Sequence, residues 1–169
     1  MKNIILVGMP TAGKSTLGVL LAKKIGYGYI DSDSVIVARE GKLLSDLIEE
    51  YGNEGFLDIE AKVNSSISAY RCVIATGGSA IYRGAAIDKM RENGFVVYLK
   101  ISYEEMARRL GDFSKRGVVL KDGYTLLDLY NERTPLYEKH ADLIVELDGL
   151  TIEQSLNKIK ETIECKLTD

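Results

Sequence analysis

Gly8, Gly13, Lys14 and Ser15 stand in the run GMPTAGKST (8–16) at the spacing of a phosphate-binding loop. Glycines let the backbone wrap until successive N–H groups point at phosphate oxygens. Lys14 adds a point charge toward the β- and γ-phosphates, and the Ser15 hydroxyl is a ligand for Mg²⁺. Ala12 and Thr16 complete the loop whose backbone would hold the nucleotide, and Thr11 takes a position where many such loops carry another glycine. Asp31 and Asp33 follow in YIDSDSV. Beside a phosphate loop, one such carboxylate can hold hydrated Mg²⁺ while the other accepts a proton from a hydroxyl. Asp-Ser-Asp is equally an ordinary helix start, where these side chains cap free backbone N–H groups. In ATGGSAIY (75–82), Gly77 and Gly78 either clear side chains from a ligand's approach or simply permit a tight turn. Arg116 can fold over a transferring phosphoryl group, and Arg133, in NERTPLYEK, can grip a carboxylate with its planar fork. A solvated arginine is the plain alternative for each. The single histidine, His140, is assigned no role.

The elements that must position these residues are legible as alternating patterns. Runs rich in β-branched residues predict strands at 3–7, 71–75, 95–99 and 142–147, with a weaker one at 27–30. Helical spacing and capping signals predict helices over 14–25, 34–51, 53–69, 84–92, 103–110, 124–140 and 151–164, with Gly52 and Gly94 as stops. Near-continuous apolar strands between helices imply a parallel sheet covered on both faces, which binds ligands at the carboxyl ends of its strands. The segment GDFSKRGVVLKDG (111–123) has a glycine at either end, mixed charge and no period, and is expected to be a mobile lid.

Composition narrows the class of ligand. A length of 169 residues with 46% hydrophobic content suits one domain with a full core, taken as 1–169. The net charge is −3 and the 22 basic residues are dispersed, so a small molecule is expected rather than nucleic acid or a membrane surface. Cys72 and Cys165 form no CxxC pair, which argues against a disulfide framework or a structural zinc and fits a reducing cytoplasm. Met1 to Val7 is too short and too soon interrupted for a signal peptide, and no apolar run approaches a membrane span.

Taken in order, GMPTAGKST, DSD, GNEGFLDIE, ATGGS, VVYL, the lid arginine and ERTPLY make the chain resemble the shikimate kinases nearly end to end. That ordered set is far more specific than the phosphate loop alone. The resemblance implies a three-layer α/β/α P-loop fold with a five-stranded parallel sheet and a mobile lid. It further implies a requirement for ATP and Mg²⁺, and γ-phosphoryl transfer to the 3-hydroxyl of shikimate by a cytoplasmic monomer. Under it, Gly8, Ala12, Gly13, Lys14, Ser15 and Thr16 hold ATP, Arg109 lies against adenine, and Ser15 and Asp31 serve Mg²⁺. Asp33 binds the acceptor hydroxyls and acts as base, Gly77 and Gly78 back the substrate, Arg116 is the lid arginine, and Arg133 binds the carboxylate.

Three departures fall at the acceptor end. Where the family normally reads Phe-Arg, with the arginine clamping the shikimate carboxylate, this chain has Phe56-Leu57. The third glycine of the family's Gly-Gly-Gly is Ser79, which sends a hydroxymethyl group toward the acceptor pocket, and the lid's Arg-Pro is Arg116-Gly117. Shikimate remains the leading acceptor. The alternatives are a related kinase for another small hydroxylated metabolite and a nucleotide-binding regulatory protein without transferase activity. A GTPase is disfavoured, because NKIK (157–160) lacks the aspartate of a guanine-reading motif.

Overall fold

The computed structural model of the chain describes residues 2–111 and 123–167. Five strands, β1 (Asn3–Val7), β2 (Gly28–Asp31), β3 (Cys72–Ala75), β4 (Gly94–Lys100) and β5 (Leu143–Glu146), pair in the order β2-β3-β1-β4-β5. Every pairing is parallel, as the apolar strands led one to expect. All five residues of β1 are buried, as are the middle five of β4, so helices must cover both faces of the sheet.

Those helices are α1 (Lys14–Ile25), α2 (Ser32–Glu40), α3 (Leu44–Ser65), α4 (Gly84–Arg91), α5 (Tyr103–Leu110), α6 (Leu126–His140) and α7 (Ile152–Leu167). The core is centred on β1 and β4, with Leu17 and Leu21 of α1, Leu129 and Tyr137 of α6, and Ile159 and Ile163 of α7 packed against them. Tyr98 of β4 stacks on Tyr137 at 5.0 Å between ring centroids, tying α6 to the sheet. A second, smaller cluster joins α2 to α3 through Ile36, Leu47, Phe56, Leu57 and Val63.

One expected helix is two. The pattern over 34–51 is interrupted at Gly41, whose left-handed conformation (φ 67°) caps α2, and the chain restarts as α3. Gly52, expected as a helix stop, is a non-helical step (φ 70°, ψ 176°) at which α3 kinks into two helical stretches, a conformation that glycine alone enters without strain. A short 3₁₀ turn at Ala80–Arg83, which the sequence reading passed over, follows β3. Of the expected lid, only the flanking Gly111 and Gly123 fall among the described residues; 112–122, with Arg116, lie outside them.

Register positions the functional segments. Ala75 pairs with Leu6 of β1 and with Asp31 of β2, so the carboxyl ends of β1, β2 and β3 finish at one level. The phosphate loop, Asp31–Asp33 and Thr76–Gly78 therefore leave the sheet side by side.

Candidate active site

A cleft of about 760 Å³ opens at that level. Pro10, Lys14 and Ser15 of the phosphate loop line it together with Asp33, Glu60 and Gly77. Helix α1 starts at Gly13, which is left-handed (φ 93°) and supplies no side-chain cap. The first N–H groups of α1 are thus left for a ligand, the arrangement that makes a helix start an anion site. Gly8 is required on steric grounds, since a Cβ there would sit 2.6 Å from the Leu99 carbonyl oxygen.

Lys14 is buried and donates from Nζ to the carbonyls of Gly8 and Met9, each at 2.8 Å, which curls the loop around its own ammonium group. Burial brings its pKa down to about 8, against the opposing pull of Asp33 and Asp31. Thr11 holds φ at 65°, a left-handed conformation that costs a β-branched residue roughly 1–2 kcal/mol. Arg109 donates from Nη1 to the Thr11 carbonyl at 3.2 Å and from Nε to Glu105 at 2.6 Å, so its guanidinium is held on the flank of the loop.

The two carboxylates of the DSD run divide their work. Asp31 caps α2, its Oδ1 accepting from the backbone N–H groups of Asp33 and Ser34, while its Oδ2 accepts from Ser15 Oγ at 3.0 Å. One residue thus both caps α2 and reaches the phosphate loop through Ser15. Asp33 turns into the cleft instead. Burial, with Asp31 adding to it, raises its pKa above the usual aspartate value, and Lys14 opposes the rise.

Gly77 leaves no room for a side chain, and Gly78 only tight room. A Cβ on Gly77 would lie 2.5 Å from Glu60 Oε1 and 2.8 Å from Asp33 Oδ1; one on Gly78 would press Arg133 Nη1 and Pro10 at 3.1 and 3.2 Å. Arg133 is 2% exposed. Its Nε donates to the Tyr82 hydroxyl at 3.1 Å and its guanidinium lies 4.9 Å from the centre of the Tyr82 ring. It is a packed cation on the wall of the cleft, not a solvated one.

Glu60 was not singled out from the sequence, yet it is 1% exposed on the cleft wall. Burial pushes its carboxyl up to about 7, with Asp33 adding to the rise and Ser79, Arg133 and Lys14 opposing it. The available signal was its spacing: an acid on the same α3 face as the buried Phe56, Leu57, Val63 and Asn64. Tyr82 and Tyr137 were passed over too, though Tyr82 braces Arg133 and the Tyr137 hydroxyl donates to the Gly78 carbonyl at 2.6 Å.

Leu57 does not line the main cleft. It packs in the α2–α3 cluster and borders a small annex of about 30 Å³ with Ser79, Tyr82, Leu129 and Arg133. Ser79 borders both spaces. His140 lies away from the cleft, its Nδ1 3.1 Å from Asp88 and its ring against Gly84.

The shikimate kinase family model matches residues 10–164. Among curated relatives, a shikimate kinase of Francisella tularensis subsp. holarctica is 39% identical over 162 residues, covering 94% of this chain and 92% of its own. One from Thermodesulfovibrio yellowstonii is 34% identical over 167 residues, covering 97% and 96%. Among solved structures, shikimate kinase from Acinetobacter baumannii in complex with shikimate superposes with a TM-score of 0.89 at 30% identity, covering 100% of this chain and 96% of that one.

Proposed function

The chain belongs to the shikimate kinase family, and we propose on that premise that it transfers the γ-phosphoryl group of ATP to a hydroxyl of shikimate. The observation that carries the reading is that one cleft is lined both by an uncapped helix start with Lys14 and by Asp33. Groups suited to phosphate anions and to an alcohol thereby share a single space.

The start of α1 and Lys14 bind the nucleotide's phosphates, whose negative charge restores the Lys14 ammonium that burial disfavours. Ser15 Oγ and Asp31 Oδ2 are two hard oxygens side by side at the loop, a set that fits Mg²⁺, which keeps several waters and is shared with phosphates. Held by Ser15 and Asp31, Mg²⁺ would supply neutralisation of charge on the phosphates. Asp33 accepts the proton of the attacking hydroxyl, and its raised pKa brings it nearer to that task. Gly77 and Gly78 let the acceptor approach the backbone, and Arg133, braced by Tyr82, meets its carboxylate. Arg116 and the lid, outside the described residues, belong to this reading through the family resemblance, as does Arg109 against adenine.

The reading extends to a single kinase domain over residues 1–169, acting as a monomer in the cytoplasm. Two free cysteines support the compartment, and no helix among the described residues is long and apolar enough to cross a membrane.

Leu57, buried without charge where the family carries arginine, favours one second reading: an acceptor that resembles shikimate but depends less on a carboxylate. ATP consumption measured with shikimate, quinate, gluconate and homoserine separates the two. Turnover fastest with shikimate supports the proposal, and none with shikimate but turnover with another alcohol overturns it.

A further inference from the structure

Glu60 and Ser79 form a bond that the function so far leaves unused. Ser79 Oγ donates to Glu60 Oε2 at 2.8 Å, between two buried side chains 19 residues apart in sequence. Glu60 Oε1 makes no hydrogen bond to any described residue. It lies against Gly77, at the acceptor end, on the same side as Asp33 Oδ1. An unpartnered carboxylate oxygen at a nearly inaccessible residue is costly unless something meets it.

The hydroxyl of Ser79 determines what that oxygen can do. The bond from Ser79 occupies one lone pair of Oε2 and fixes the carboxyl group, so Oε1, which has no hydrogen bond of its own, is the oxygen with its full accepting capacity left for a proton or a ligand. Leu57, one turn before Glu60 on α3, brings no donor of its own, while Ser79, on the same annex, does. The other charged groups facing Glu60 are Asp33 from α2, Lys14 from α1 and Arg133 from α6.

We propose that Ser79 is a positioning residue: its hydroxyl anchors Glu60 Oε2 and so commits Oε1 to a hydroxyl of the acceptor adjacent to the one that Asp33 takes. The identity of the acceptor rests on the kinase reading above, whereas the anchoring is a property of the free protein. Ser79 thereby supplies, from the loop after β3, a polar anchor at the end of the site where Leu57 leaves no charge.

The test begins without substrate. In protein labelled with ¹³C-carboxyl glutamate, the Glu60 resonance is assigned by its loss in Glu60→Gln and followed through a pH titration. The wild-type midpoint is expected at about 7, raised by burial. Ser79→Ala removes a donor that favours the ionised form, so its midpoint moves to higher pH, while Ser79→Thr, which keeps the hydroxyl, stays near the wild type. Ser79→Gly replaces Ser79→Ala if the latter fails to fold. With shikimate and ATP, Ser79→Ala raises KM for shikimate on the order of tenfold and leaves KM for ATP unchanged. An unmoved Glu60 midpoint in folded Ser79→Ala overturns the proposal. Absence of shikimate turnover in the wild type and in every variant overturns shikimate as the acceptor instead, and leaves the titration to judge the anchor.

Discussion

Ser15 of α1 and Asp31 at the end of β2 meet through a hydrogen bond of 3.0 Å, which joins the phosphate loop to the cap of α2. Asp31 thus serves both helix α2 and the proposed Mg²⁺ site. Asp31→Asn retains an amide oxygen able to cap, but loses the charge. Thermal unfolding should shift little, by less than about 1 kcal/mol, because Asn and Asp cap about equally well. The Mg²⁺ concentration needed for half-maximal activity should rise severalfold. A Mg²⁺ titration identical to the wild type would remove Asp31 from the metal site.

Lys14 has a pKa of about 8 in the free protein, lowered first by burial. Bound phosphates favour its charged form, so ATP binding raises this pKa, and the protein takes up protons at pH values above about 8. Calorimetric ATP titrations at pH 8.5, in buffers of different ionisation enthalpy, should show that uptake, and Lys14→Met should abolish it. The same variant should lose phosphoryl transfer by about 100-fold or more, the scale of removing a preorganised charge stabiliser.

Gly77→Ala would place a methyl group between two carboxylates, 2.5 Å from Glu60 and 2.8 Å from Asp33. Either side chain must move, at a cost of roughly 1–3 kcal/mol. Steady-state kinetics should show a raised KM for the acceptor and a lowered kcat, with KM for ATP little changed. Equal loss on the ATP side would mean that the strain spreads into the phosphate loop.

Leu57→Arg tests the acceptor. Leu57 is 7% exposed, and replacing it removes a member of the α2–α3 cluster, so the melting temperature should fall. An arginine stem can follow the annex, which Arg133 also borders. With shikimate as acceptor, the added cation should lower KM, by as much as tenfold for a charge-assisted bond of ~1.5 kcal/mol. A higher KM would point to an acceptor without a carboxylate.

Glu60 makes stability depend on pH. Its folded pKa, about 7, lies above the ordinary value of 4.5, so the folded state holds its proton more tightly than the unfolded chain does. Its contribution is fully present below about pH 4.5 and is lost as pH rises toward and through 7. Glu60→Gln has no such proton to lose. Chemical denaturation at pH 5 and pH 8 should therefore show the variant gaining stability relative to the wild type at the higher pH. A constant difference at both values would show that Glu60 does not carry the dependence.

The phosphate loop was legible in the sequence because its chemistry is local: Gly8 to Thr16 are contiguous, and the backbone conformation they require follows from their own side chains. The strands were legible for a similar reason, since a strand buried on both faces, such as β1, must be apolar at every position. Even the two readings of Asp31 were both present in the run DSD. What tertiary structure alone decided is which distant residues meet. Ser79 is 19 residues from Glu60 and Arg133 is 51 from Tyr82, and neither pair has a spacing that a helix or strand would bring together. Gly41 divided a helix whose apolar pattern ran on through it, because conformation at one glycine outweighs periodicity in its neighbours. Leu57 could be placed at the acceptor end by resemblance, yet its position in the α2–α3 cluster, behind the cleft rather than in it, follows from how the two helices pack. The level register of β1, β2 and β3 then sets all these groups around one space, because parallel pairing brings together strand ends that are far apart along the chain.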